Sequence, residues 1–160
     1  MAIRRAAIAG ALTLLLIGGA TAAYADTIQG TPRADDLRGT PGQDKITARG
    51  GHDSVLARGG NDAVFGGHGN DVLYGQVGRD KIRSGRGDDV VYGGLGNDHL
   101  YPFGGQDRVI AGPGNDYTGA PNSDGPDTVR CGSGSDVVVY NVRQDPMDTL
   151  INCELIVTAD

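Results

Sequence analysis

The chain has 160 residues, a formal charge of −6 and a mean hydropathy of −0.28, with 28 glycines, no tryptophan and two cysteines. So much glycine excludes a helical globule, because each interior Gly costs a helix roughly 1 kcal/mol. The negative balance argues against nucleic acid as a partner, and 19 of the 20 acids are Asp, which points to short carboxylates at fixed loop positions rather than a generic solvated surface.

Residues 1–25 read as a secretory signal peptide. Arg4 and Arg5 give a basic start, Ala6 to Ala20 an apolar run, and Ala23-Tyr24-Ala25 a small-residue cleavage site, with cutting expected after Ala25. The alternative is a membrane anchor, but the run is short for a span of about 20 residues, so the mature form is expected to have no membrane span. The paired arginines leave both Sec and twin-arginine export open. The mature chain, 26–160, then carries 12 Lys+Arg against 20 Asp+Glu, a charge of −8, and its length suits one domain.

Ten aspartates follow at a fixed nine-residue interval: Asp35, Asp44, Asp53, Asp62, Asp71, Asp80, Asp89, Asp98, Asp107 and Asp116. A period of this kind marks a repeat architecture. With the periodic Asp placed at position 6 of each unit, and Asp127 and Asp136 counted too, position 4 is Gly in every unit except that of Arg33. Position 8 is Leu, Ile or Val in every unit except that of Thr118. The division predicts a turn of about six residues and a three-residue strand whose middle side chain faces inward, with positions 7 and 9 facing out. One unit cannot bury its single aliphatic alone, so units must stack.

The cleanest units, Gly66-Gly67-His68-Gly69-Asn70-Asp71-Val72-Leu73-Tyr74 and Gly93-Gly94-Leu95-Gly96-Asn97-Asp98-His99-Leu100-Tyr101, resemble the RTX (hemolysin-type) calcium-binding nonapeptide. The resemblance implies an all-β fold, a right-handed parallel β-roll in which two nonapeptides make one 18-residue coil. It also implies several Ca2+ ions held in the turns, each shared by position-6 Asp side chains and carbonyls of neighbouring coils. The ligand set so implied is Asp44, Asp53, Asp62, Asp71, Asp80, Asp89, Asp98, Asp107 and Asp116, with Gly66, Gly67, Gly69, Gly75, Gly78, Gly85, Gly87, Gly93, Gly94 and Gly96 in the turns. Calcium suits this set, being a hard ion that takes 6–8 oxygens. For any single Asp the alternative is an Asx-turn that caps its own loop.

The units differ in quality. Ala48-Arg49-Gly50-Gly51 and Ala57-Arg58-Gly59-Gly60 shift Gly to positions 3 and 4, making weaker sites or turns partly neutralised by Arg. The first unit, with Thr31 and Arg33, is expected to be a cap without full coordination, and whether the Asp35 and Asp127 units bind metal stays open. Same-side carboxylates one coil apart, at about 4.8 Å, repel without metal. The ion-free chain is therefore expected to be largely disordered.

After Thr118 the period breaks. Gly119-Ala120-Pro121-Asn122-Ser123-Asp124-Gly125-Pro126 is rich in turn formers and reads as a protruding loop. Val137–Tyr140 and Leu150–Val157 read as strands that close the open end. The boundaries follow: repeats over 26–119, and degenerate repeats with a cap over 120–160. Cys131 and Cys153 form one disulfide in an exported chain, closing a 23-residue loop (153 − 131 + 1); two free thiols are the alternative. This ending resembles short secreted calcium-binding proteins of actinobacterial type. Gram-negative RTX toxins and proteases have large effector domains, so their activities are not carried over.

No H-E-x-x-H, G-x-S-x-G or G-x-x-x-x-G-K-[ST] occurs, and His52, His68 and His99 occupy three different repeat positions, so no enzyme is expected. Outward positions on one face give Leu56, Val72, Tyr74, Val90, Tyr92 and Ile110. This apolar face is a candidate contact for a second copy, an extracellular polysaccharide or a cell-surface protein. Alternatively, the tyrosines only brace neighbouring strands. The expected function is a secreted calcium-ion-binding protein that folds on meeting extracellular calcium. The alternative is an adhesion or matrix protein whose calcium is structural.

Overall fold

The structure is a computed structural model that describes residues 25–119, 125–140 and 147–158. All elements among them are strands: β1 (Thr27–Gln29), β2 (Asp36–Arg38), β3 (Lys45–Gly50), β4 (Ser54–Gly59), β5 (Ala63–His68), β6 (Val72–Val77), β7 (Lys81–Arg86), β8 (Val90–Leu95), β9 (His99–Tyr101), β10 (Arg108–Pro113), β11 (Tyr117–Gly119), β12 (Thr128–Ser133), β13 (Val137–Tyr140), β14 (Thr149–Ile151) and β15 (Leu155–Thr158). Odd-numbered strands form an eight-stranded sheet and even-numbered strands a seven-stranded one, each in sequence order. Every neighbouring pair is parallel, as Ile46 on Val64 and Val64 on Ile82 illustrate. The chain thus winds about seven times as a parallel β-roll, alternating between the two sheets.

Winding of this kind follows from the 18-residue coil. Position 8 supplies the core with Leu37, Ile46, Val55, Val64, Leu73, Ile82, Val91, Leu100, Val109, Val129 and Val138, all buried. Thr118, the exception to the aliphatic pattern, takes the same inward place and is also buried. Burying a Val or Leu is worth about 1.5–3 kcal/mol, and each one packs between copies of itself one coil away.

The strands are longer than the three residues expected from the pattern. In most units they run six residues, positions 7 to 9 and on through positions 1 to 3 of the next unit. The alternation of facing therefore extends one step, and position 1 also points inward. Ala48, Ala57, Ser84, Ala111, Cys131 and Tyr140 occupy it, and all are buried. The sequence pattern hid this because position 1 is often Gly, which carries no hydrophobic signal.

The period break is real and small in the register. Arg108 pairs with Thr128 and Tyr117 with Val137, an offset of 20 where earlier coils have 18. Most of the expected loop between them lies outside the described residues, as does the signal peptide apart from Ala25. Gly125 and Pro126 are described. The closing strand expected over Leu150–Val157 is two strands, β14 and β15, one per sheet, broken at Asn152 with φ 54°. Cys131 and Cys153 are disulfide-bonded, with their Cα atoms 5.2 Å apart. The bond ties the inward side of β12 to the bend between β14 and β15.

Candidate metal centres

Position 6 ends each turn just before a strand, and its Asp side chain bends into the coil rather than out to water. From Asp35 to Asp136 these side chains are buried. One oxygen of each is committed to the coil before it. The Asp53 backbone N–H donates to Asp71 Oδ1 at 2.9 Å, Asp71 to Asp89 at 2.8 Å and Asp89 to Asp107 at 2.9 Å. On the other edge Asp62 donates to Asp80, Asp80 to Asp98 and Asp98 to Asp116, each at 2.8 Å. The two ladders at 18-residue spacing are those the sequence implied, and they run further than the period did. Asp127 N–H donates to Asp148 Oδ1 at 2.9 Å and Asp136 N–H to Glu154 Oε2 at 2.6 Å.

The second oxygen divides the chain. In Asp53, Asp62, Asp71, Asp80, Asp98, Asp107, Asp116 and Asp136, Oδ2 is buried with no hydrogen-bond partner. An orphaned buried carboxylate oxygen is costly, because desolvation disfavours the charge and nothing repays it. The acidities show the strain. Burial pushes Asp71 and Asp107 up to about 7 and Asp53, Asp62, Asp80, Asp98 and Asp116 up to about 6, against the restraining N–H from the previous coil. Carboxylates one coil away push in the same direction as burial. Asp89 is raised for the same reason, with the Ser84 hydroxyl beside it acting against the rise.

The first two units solve this without metal. Thr31 donates its N–H to Asp35 Oδ2 at 2.5 Å and its hydroxyl at 2.9 Å. Thr40 does the same for Asp44 Oδ2, at 2.6 and 3.1 Å. Most later units lose that donor geometry where position 2 adopts a left-handed backbone, at Gly67, Gly85 and Gly94 among the candidate residues, whereas the Asp107 unit has Phe103 there and lacks the Thr. Arg49, Arg58 and Gln76 sit at position 2 with φ of 82°, 85° and 82°, so the turn there keeps its shape despite the missing Gly. Neither Arg49 nor Arg58 forms an ion pair among the described residues. Arg49 donates to Gln29 Oε1 at 2.7 Å, and the one ion pair among the described residues is Arg38 with Asp36.

The remaining turn glycines hold the space. Gly66, Gly75 and Gly93, at position 1, are buried against the carboxylate, and a Cβ on Gly66 would lie 2.6 Å from Asp71 Oδ2. Gly69, Gly78, Gly87 and Gly96, at position 4, all have positive φ. A Cβ on Gly78 would strike the Gly60 carbonyl one coil back, so the turns stack too closely for any side chain.

The donor set fits a hard cation. In most turns from Asp53 onward it consists of one orphaned carboxylate oxygen, with backbone carbonyls of stacked turns beside it. Among the described residues no three or more His, Cys, Asp or Glu converge as a metal group. The fit is therefore to an ion held mainly by carbonyls with few carboxylates, as calcium permits, and not to zinc, which takes four close side-chain ligands.

Sequence reasoning missed a second ladder at position 5. Asn61 Oδ1 accepts from Arg79 N–H at 2.8 Å, Asn70 from Asp88 at 3.1 Å, Asp88 from Gln106 at 2.9 Å, Asn97 from Asn115 at 2.9 Å and Asn115 from Ser135 at 2.9 Å. It is exposed and points the opposite way along the roll to the Asp ladder. The recurrent Asn at position 5 was its visible signal. Thr31 and Thr40, both in a Gly-Thr-Pro sequence, were a second.

The apolar face expected on the seven-stranded sheet is assembled. Leu56, Tyr74, Tyr92 and Ile110 lie in one register column, with Val72 paired to Val90 beside it. Tyr74 and Tyr92 stack with ring centroids 4.7 Å apart and planes within 4°. A shallow groove of about 400 Å³ runs beside them, lined also by Val77, Leu95 and Pro113. Val77 and Leu95 are each 55 % exposed. His52, His68 and His99 are exposed and lie apart along the roll.

A two-sheet parallel roll whose turns, in most nonapeptides from Asp53 onward, present an unsatisfied carboxylate oxygen is, by class, a repeat solenoid that binds cations at its edges. The sequence profile of the RTX calcium-binding nonapeptide repeat matches the chain in overlapping segments at 21–55, 29–64, 48–82, 65–100 and 85–117, and the chain belongs to that family. It is a calcium-binding β-roll protein. Comparison with curated proteins found no match.

Proposed function

We propose that the protein is exported as an unfolded chain and closes into its β-roll on meeting calcium outside the cell, with no catalytic activity of its own. The observation that carries this is the row of orphaned Oδ2 atoms in Asp53, Asp62, Asp71, Asp80, Asp98, Asp107 and Asp116, each buried without a partner. Calcium would supply the missing charge and turn repulsion between coils into a bridge. The residues that would hold it are Asp53, Asp62, Asp71, Asp80, Asp89, Asp98, Asp107 and Asp116 with carbonyls of the glycine turns. Asp35 and Asp44, already capped by Thr31 and Thr40, would form an entry that needs no ion. The array over 26–119 would be the sensing part and 120–160 the cap.

Export rests on the basic start, apolar run and A-x-A site of residues 1–25. Exposed extracellular calcium modules bind with Kd near about 10⁻⁴–10⁻³ M. Low calcium inside would then keep the chain open, and millimolar calcium outside would close it by mass action. Circular dichroism of the mature chain, titrated with calcium and then with chelator, tests this. The expected result is a β signal that rises with calcium and is lost on chelation; a signal already complete in chelator sinks the switch.

A second reading, an adhesion protein whose calcium is structural, is favoured by one observation, the stacked Tyr74 and Tyr92 beside exposed Val77 and Leu95. Tyr74→Lys with Tyr92→Lys tests it. Unchanged oligomeric state and unchanged cell-surface binding, with calcium loading intact, would remove that reading.

A further inference from the structure

We propose that the outward face of the eight-stranded sheet is a docking surface for an anionic polysaccharide whose sugars carry carboxylates. It is the face opposite the apolar one, and its character is different. Across β5, β7, β9 and β11 the outward side chains fall in two columns. Ala63, Lys81, His99 and Tyr117 form one, and Phe65, Arg83 and Tyr101 the other. In a chain with 20 acids, no Asp or Glu takes an outward position 7 or 9 of this sheet between Lys45 and Val139.

The cations are held and unspent. The Arg83 guanidinium lies 5.9 Å from the Phe65 ring centre and 5.6 Å from that of Tyr101, and Lys81 Nζ lies 5.6 Å from the Tyr101 ring. Such cation–π contacts restrain the side chains while leaving their N–H groups facing water. Neither cation is ion-paired with a carboxylate among the described residues, where the single ion pair is Arg38 with Asp36.

Beside them is a cluster of tilted aromatic rings. Tyr101 and Tyr117 have centroids 5.9 Å apart, and His99 lies 5.5 Å from Tyr117. The rings lean over Gly119, where a Cβ would come within 2.8 Å of Tyr117 and 2.9 Å of Tyr101. A glycine at that place leaves room for the two rings, whose planes are 51° apart.

The two parts together choose the occupant. The face of an outward tyrosine ring suits the apolar C–H face of a sugar ring, and the planar Arg fork suits a carboxylate. Charge complementarity then selects an acidic glycan over a neutral one. A nucleic acid is disfavoured, because so few cations on a mature chain of charge −8 cannot offset repulsion of a phosphate polymer. Asp80 and Asp98 immediately precede Lys81 and His99. On the calcium reading above, on which this one step rests, bound ions cancel their charge and so favour the anion.

The test uses the mature chain in calcium, its fold followed by circular dichroism, on immobilised hyaluronate, with neutral dextran as control and single-stranded DNA as competitor. Retention on hyaluronate and not on dextran is expected. Lys81→Glu with Arg83→Glu should weaken it at least tenfold, as should Tyr101→Ala, while Tyr74→Lys on the opposite face leaves it unchanged. Failure of the folded chain to be retained, equal retention on dextran, full retention of the charge-reversed variant, or displacement by DNA at lower concentration than by free hyaluronate each overturns the proposal. Dichroism reports on the calcium switch and retention on the docking surface, so the two fail separately.

Discussion

The first two turns of the roll and the turns at its centre hold the same aspartate in the same place, and only the centre leaves it unsatisfied. Asp44 and Asp80 each accept one backbone N–H from the coil before them, at 2.8 Å from Asp26 and 2.8 Å from Asp62. They differ in what stands four residues earlier. Thr40 reaches Asp44 Oδ2 with its N–H and hydroxyl, whereas Gln76, with φ 82°, leaves Asp80 Oδ2 buried and alone. In these two turns the residue at position 2 accounts for whether the second carboxylate oxygen is satisfied within the turn. At the entry the cost of burying the carboxylate is met by local hydrogen bonds.

The largest break in this contrast comes from the carboxylates. Asp80→Asn with Asp98→Asn should raise the calcium midpoint of the β signal at least tenfold and lower the number of ions bound. Asp35→Asn with Asp44→Asn should leave the ion count unchanged. Equilibrium dialysis on both pairs decides it, and equal loss of ions from both would erase the distinction between entry and centre.

Acid offers a second approach. The central aspartates titrate near 6 to 7 in the ion-free roll because burial raises them, above an unfolded value of about 3.9. The folded state thus binds more protons than the unfolded one. The stability that protonation lends is complete below about pH 4 and is lost as pH rises through 6 to 7. In chelator, lowering pH from 7.5 to 4.5 should therefore increase β structure, with protons standing in for calcium. In calcium the same step should weaken ion binding. A β signal in chelator that falls steadily on acidification contradicts the assignment.

Next in size is the far end. The disulfide closes a 23-residue loop and should contribute about 3 kcal/mol. Cys131→Ser with Cys153→Ser should lower the melting temperature of the loaded roll and expose the amides of β14 and β15 to exchange first. Uniform loss of protection along the roll would mean the bond supports more than the cap. Thr40→Val is milder: it removes the hydroxyl that donates to the Asp44 carboxylate, a bond worth about 1.5–3 kcal/mol, and that accepts from the Gly42 N–H. Its effect should be equal with and without calcium, which separates it from the central variants in thermal melts.

Much of this was legible in the chain because the roll is nearly one-dimensional. Inward aliphatics at position 8 and aspartates at position 6 meet their copies one coil away, so sequence period and spatial neighbour coincide. What was hidden involves residues whose role is conformational rather than compositional. Position 1 faces the core but often bears Gly, so six-residue strands looked like three. The cap finishes the two ladders with Asp148, at an offset of 21 that breaks the nine-residue count, and with Glu154, which keeps the offset of 18 but is Glu where the pattern has Asp. The two arginines at position 2 looked like substitutes for metal charge, whereas the backbone places them in a left-handed turn with Arg49 directed at Gln29.

Those arginines give the smallest and most local test. Arg58 has φ 85°, a conformation that costs a residue with a Cβ on the order of 1 kcal/mol relative to Gly. Replacement by Gly also frees the unfolded chain, which returns part of that gain. Arg58→Gly should therefore stabilise the calcium-loaded roll by at most about 1 kcal/mol. It should also leave the Asp62 site with unchanged ion stoichiometry, because Arg58 pairs with no carboxylate among the described residues. Had the arginine been neutralising the turn, its removal would instead add calcium demand at Asp62 and lower the stability of the ion-free state. Isothermal titration with a paired chemical melt separates the two. A change in ion number would restore the electrostatic role, and a small gain in stability at constant ion number assigns the residue to backbone strain.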